Sequence, residues 1–111
     1  MSPPVEFQIQ DIYYKCIQSG VKKFEGRRLT EKASSVKPGD TIMIVNSTTS
    51  EKLARIVKKI YLFGSIEEMV QTIGYLNLIP CAESETEAIM TYYSFPNYGE
   101  SKSFAVYEFE D

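Results

Sequence analysis

Between Gly20 and Arg28 the chain reads Gly-Val-Lys-Lys-Phe-Glu-Gly-Arg-Arg, and here residues able to do chemistry are densest. Lys22 and Lys23 carry compact positive charges suited to phosphate. Arg27 and Arg28 carry planar guanidinium forks that fit a phosphate or the edge of a base. Glu25 is a carboxylate that can accept from an exocyclic amine or hold neighbouring cations in place. If residues 22–28 are extended, Lys23, Glu25 and Arg27 share one face and Lys22, Phe24 and Arg28 the other. The chain leaves Gly20 irregularly, which also lets Lys22 turn inward. An ordinary ion pair between Glu25 and Arg27 on a strand is the alternative. Gly26 suits either the close approach of a ligand or a bulge.

The charge around this segment is lopsided. From Lys15 to Lys37 seven basic residues stand against two acidic ones, a net of +5, while the remainder carries −8 of an overall −3. A focused positive region on an acidic body favours a short single strand or a nucleotide over a long duplex, whose binding rests on many phosphate contacts. A solvated basic loop with no ligand is the other reading of the same charges. There is no histidine, so the commonest general base is missing, and Ser-His or Cys-His catalysis is excluded. Cys16 and Cys81 do not make a zinc pattern. No metal and no cofactor are expected. Both cysteines are expected to be reduced and packed, Cys16 on the apolar stripe of a helix.

The elements that must position these residues follow from periodicity. Val5 to Gln10 alternates apolar and polar residues as a half-buried strand. Asp11 caps a helix over 11–19 whose Ile12, Tyr13, Cys16 and Ile17 form a stripe, and Gly20 supplies the stop. Residues 23–30, 41–46 and 53–63 read as strands, with Pro38-Gly39-Asp40 as a turn. Ser65-Ile66-Glu67-Glu68 and Ser84-Glu85-Thr86-Glu87 are capping boxes, opening helices over 65–74 and 84–94. Those helices bury Ile66, Met69, Val70 and Ile73, and Ala88, Ile89 and Tyr92. Phe104 to Glu110 closes as a strand with Ala105, Tyr107 and Phe109 on one face. At 111 residues and 43% hydrophobic, the chain fits one domain, 1–111, with a real core. A small curved barrel flanked by helices satisfies the strand edges best. No run reaches membrane-spanning length, and Met1–Glu6 lacks the basic and apolar regions of a secretory leader. An intracellular location, in cytoplasm or nucleus and away from membranes, is expected.

Gly20-Val21-Lys22-Lys23-Phe24-Glu25-Gly26-Arg27 resembles the G-x-K-x-x-E-x-R signature of the ASCH family (activating signal cointegrator homology), relatives of PUA domains. Lys37-Pro38-Gly39-Asp40-Thr41-Ile42, Ile60 to Met69, and Ile79-Pro80 with Ser84 to Ala88 and Tyr92-Tyr93 resemble further family segments in the same order, so the likeness runs from about Val5 to Glu110. The resemblance implies an α+β fold: a small PUA-like β-barrel of five or six strands with about three helices. It also implies that Lys22, Glu25 and Arg27 converge on a cleft, in a family associated with RNA binding, coactivator work and, in some bacterial branches, hydrolysis of modified nucleosides or RNA. Lys23 and Arg28 extend the positive rim, and Tyr98, in a polar loop after Pro96, is the aromatic placed to stack a base.

The expected function is therefore binding of single-stranded RNA or a nucleotide, with DNA as an alternative ligand. The family's small amidohydrolases are associated with a lysine, a threonine nucleophile and a glutamate. Lys22 matches the lysine, but the position three residues on is Glu25, and Cys81 falls near the later glutamate. A hydrolase of RNA or modified nucleosides using Lys22 and Glu25 is the second reading, and a protein-interaction module the third.

Overall fold

The alternation in Val5–Ile9 (β1) buries Phe7 and Ile9 and leaves Gln8 in water. In this computed structural model, which describes residues 3–110, β1 pairs in parallel with Thr41–Asn46 (β3), Phe7 lying opposite Ile44. Met1, Ser2 and Asp111, the ends of the span expected to form one domain, lie outside the described residues. β3 pairs antiparallel with Lys52–Phe63 (β4). With 12 residues β4 is long enough to serve two partners. After a bulge between Val57 and Lys59 its second half turns to Phe104–Phe109 (β5), again antiparallel. A bulge adds local twist and bend, and here it curls the sheet. β5 then pairs antiparallel with Phe24–Arg28 (β2), giving the order β1-β3-β4-β5-β2. The result is a five-stranded half-barrel whose two edges are β1 and β2.

Two apolar clusters pack against the two faces of this sheet. One contains Phe7, Ile17, Ile44, Val57, Tyr107 and Phe109; the other contains Met69, Val70, Leu78, Tyr92, Phe104 and Val106. β5 feeds both. The expected face of Ala105, Tyr107 and Phe109 is buried, and so is the opposite one. A strand so enclosed reads as a continuous apolar run.

The helices form close to where their signals stand. Asp11–Gln18 (α1) ends before Gly20, whose φ of +87° is the left-handed conformation that glycine tolerates. Ile66–Ile73 (α3) and Glu85–Ser94 (α5) carry variants of the expected boxes. Ser65 and Ser84 accept from the amides of Glu68 and Glu87, both at 3.1 Å. The two glutamates accept in turn from Gly64 and Glu83, one residue before the serine. Two four-residue helices, Glu31–Ser34 (α2) and Tyr75–Leu78 (α4), join the three expected. Among the described residues no helix is long and apolar enough to cross a membrane.

Three local expectations are corrected. Asp11 is the first residue of α1 and not its cap, because its carboxylate is taken by Asn46 Nδ2 at 2.8 Å and by Lys15 at 3.1 Å. Buried Tyr14 and Ile17 form the stripe of α1, while Ile12 is 48% exposed and Tyr13 turns to the cleft described below. Both thiols are free as expected, but neither is fully packed: Cys16 is half-buried and Cys81 exposed.

Candidate functional site

The half-barrel does not close by backbone pairing between β1 and β2, and a cleft occupies the seam. Arg27, on β2, spans it. Its guanidinium donates to the Gln8 carbonyl on β1 at 3.3 Å and lies 4.4 Å from the centre of the Phe7 ring, also on β1. The same group meets Glu25 Oε2 at 3.4 Å. Arg27 thus latches two strand edges through a side chain.

Lys22 sits one turn of chain before β2, where its amide donates to the Cys16 carbonyl at 2.9 Å. This closes the turn that brings the side chain inward, so Lys22 is only 2% exposed. Its ammonium donates to the carbonyls of Phe24 and Leu78, both at 2.6 Å, and stands 3.4 Å from Glu25 Oε1. Three acceptors match the three protons of an ammonium. Burial pushes the Lys22 amine below the ordinary lysine range, and the neighbouring Glu25 carboxylate opposes that shift. Glu25, 8% exposed, therefore carries one cation on each oxygen.

The cleft is about 200 Å³ in volume. Its polar side consists of Gln8, Gln10, Lys22, Glu25 and Arg27, and its aromatic side of Tyr13, Tyr92, Phe95 and Tyr98. Tyr92 and Tyr98 stack with ring centres 6.0 Å apart, and Phe95 meets each of them edge-on. Burial raises the phenols of Tyr92 and Tyr98, and raises Tyr13 to about 12 with help from the Cys81 thiol. All of these hydroxyls stay protonated as donors at neutral pH. Gly26 lies on the floor, where an added Cβ would stand 2.8 Å from Tyr92 Oη and 3.1 Å from Met69 Sδ. The side chains behind it explain the missing Cβ, since β2 and β5 keep register through Gly26 without a bulge.

Four of the residues singled out from sequence, Lys22, Glu25, Arg27 and Tyr98, line this one cleft. Arg28 borders a smaller adjoining recess. Lys23, which alternation placed beside Glu25 and Arg27, instead borders a separate hollow with Ile17, Gly20, Ala54 and Arg55. The alternation rule fails there because β2 begins only at Phe24. Gln8, Gln10 and Tyr13 were not singled out. Gln8 and Gln10 belong to the polar phase of the first strand, which marks an open edge only once the strand order is known, and Tyr13 reads as part of the apolar stripe of α1. Among the described residues no group of three His, Cys, Asp or Glu side chains could hold a metal ion.

No family model matches the chain, and no curated protein matches it. Solved structures do. The crystal structure of the hypothetical protein PH0355 is 31% identical, with 95% of each chain covered and a TM-score of 0.80. A Pyrococcus furiosus protein solved by NMR in solution is 28% identical over 97% of this chain and 96% of its own, with a TM-score of 0.72. An ASCH protein from Zymomonas mobilis is 15% identical, covers 96% of this chain and 66% of its own, and has a TM-score of 0.67. By these likenesses the chain is an ASCH-like domain in its fold and belongs to one family with the hypothetical protein PH0355.

Proposed function

We propose that the seam cleft binds one unpaired base of a single-stranded RNA or of a nucleotide, inside the cell. The observation that carries the reading is the Glu25 carboxylate, nearly buried at the foot of an aromatic-walled cleft and held in place by Lys22 and Arg27. A fixed carboxylate accepts from an exocyclic amine, as on cytosine. Tyr98 and Phe95 supply ring surface for stacking, worth about 1–3 kcal/mol per base in single-strand binders. At about 200 Å³ the cleft falls below the ~300–1,000 Å³ of drug-sized pockets, a size that suits one base. DNA offers the same bases and is the competing ligand; the ribose hydroxyl is the difference to test.

Hydrolysis is the second reading, supported by the burial-lowered Lys22 amine beside Glu25. Against it, all three protons of that ammonium are already committed to protein acceptors.

The test is titration of labelled protein with cytidine, adenosine, guanosine and uridine, followed by NMR. Cytidine, which carries an amine, should shift the amides of Gln8, Glu25, Gly26 and Tyr98, and uridine should do so at least tenfold more weakly. Glu25→Gln and Arg27→Gln should each reduce cytidine binding by tenfold or more while the circular dichroism spectrum is kept. Shifts confined to residues outside the cleft would overturn the reading. Turnover of RNA that follows the protein through purification and vanishes in Lys22→Ala would replace it with the hydrolytic one.

A further inference from the structure

Beside the cleft lies a smaller recess of about 80 Å³, lined by Phe7, Arg27, Arg28, Thr30, Lys32 and Tyr98. It shares Arg27 and Tyr98 with the cleft, so the two are neighbours across those side chains. Its lining residues carry three cations and two hydroxyls, on Thr30 and Tyr98, but no carboxylate. Of the three cations Arg27 has an acid partner, Glu25 Oε2 at 3.4 Å. Among the described residues Arg28 and Lys32 form no ion pair. The Phe7 ring organises two of the charges, with the Arg27 guanidinium 4.4 Å and the Lys32 ammonium 5.9 Å from its centre. Thr30 Oγ1 accepts from the Ala33 amide at 3.1 Å, which leaves its own proton to donate. Arg28 and Lys32 add positive charge beside Arg27 that no acid in the recess offsets, and a bound anion relieves the resulting repulsion.

We infer that this recess is a phosphate subsite, so that the recognised unit is a nucleotide, free or within a strand, and not a bare nucleoside. The inference rests on the reading of the cleft as a base site. Arg28, Lys32 and the Thr30 hydroxyl hold the phosphate oxygens, and Arg27 joins the phosphate side to the Glu25 side.

The experiment compares cytidine, cytidine 5′-monophosphate, cytidine 3′-monophosphate and inorganic phosphate on the full chain by calorimetry. At least one monophosphate should bind tenfold or more tightly than cytidine, and that advantage should shrink between roughly 50 and 200 mM salt. Lys32→Gln and Arg28→Gln should each reduce the advantage severalfold, with little change in cytidine affinity for Lys32→Gln. Cytidine binding with no gain from either phosphate would overturn the subsite and leave the base reading standing. Inorganic phosphate binding as tightly as the monophosphates would overturn the base reading and the nucleotide assignment with it. A phosphate advantage untouched by either substitution would overturn the assignment to this recess.

Discussion

The Lys22 ammonium lies 2.6 Å from the carbonyl oxygen of Leu78, a residue 56 positions along the chain, and that contact joins the entry of β2 to α4 behind the cleft. A lysine in this position is a cross-link as well as a charge. Removing it leaves two carbonyls without a donor and strands Glu25 with Arg27 alone. Breaking a buried pair by deleting one partner costs about 3–5 kcal/mol. Lys22→Met should therefore lower the unfolding free energy, measured by urea denaturation, by an amount in that range. Lys22→Met combined with Glu25→Gln should cost at least about 1 kcal/mol less than the two single changes summed, because neither charge is then left buried alone. Strict additivity would show that the pair is not coupled.

Gly26→Ala tests the cleft floor. The new methyl group meets Tyr92 Oη at 2.8 Å, closer than carbon and oxygen pack. Overpacking of this kind costs about 1–3 kcal/mol. The cost should fall in Gly26→Ala/Tyr92→Phe, where the obstructing oxygen is gone. Thermal unfolding of the four chains in the cycle gives the answer, and an equal cost in both backgrounds would place the clash elsewhere.

Alkaline pH should destabilise the fold through Tyr107. Burial pushes its phenol up to about 12, and its hydroxyl donates to the Ala33 carbonyl at 2.6 Å. Below pH 10 both folded and unfolded chains keep the proton. Between 10 and 12 the unfolded chain loses it and the folded one does not, so stability falls as pH rises across that window. The loss from this residue approaches roughly 2 kcal/mol by pH 12. Denaturation midpoints measured from pH 9 to 12 should show the fall, and Tyr107→Phe should flatten it. A slope unchanged in Tyr107→Phe would assign the effect to other tyrosines, such as Tyr13.

The two thiols should differ in reactivity. Cys81 is exposed, and Cys16, on α1, is half-buried. Under native, non-reducing conditions one thiol should react quickly with a chromogenic disulfide reagent, and Cys81→Ser should remove that fast phase. Two equal fast phases, or none, would contradict the difference in accessibility.

Much of the frame was legible because its signals are local. The serine–glutamate boxes at Ser65 and Ser84 marked two helices, Gly20 marked the end of a third, and the alternation of Ala105, Tyr107 and Phe109 marked β5, though not the burial of its other face by Phe104 and Val106. The short helices α2 and α4 were not legible, since four residues are too few to show a period. The cleft was legible in its residue types and not in its construction. Arg27 reaches Gln8 across a seam that exists only because the sheet order puts β1 and β2 at opposite edges. Nothing near residue 27 in the sequence reports that order. The inward turn of Lys22 was legible from Gly20, but the partner that buries it was not, as the Leu78 carbonyl comes from 56 positions along the chain. The recess around Arg28 and Lys32 depends on Phe7, again from the other edge.

The pairing of β2 with β5 also sets an order of events during synthesis. β2 leaves the ribosome well before its strand partner among the described residues, 104–109. Until those residues emerge, Glu25 and Arg27 belong to an unpaired strand, and the seam has only one wall. Translation at roughly 5–20 residues per second leaves the segment waiting for several seconds. The nascent chain therefore cannot form the two-walled cleft, and a stalled or truncated product ending before β5 would lack it even with every cleft residue upstream of that point in place. Completion of the last strand acts as a licence for the site.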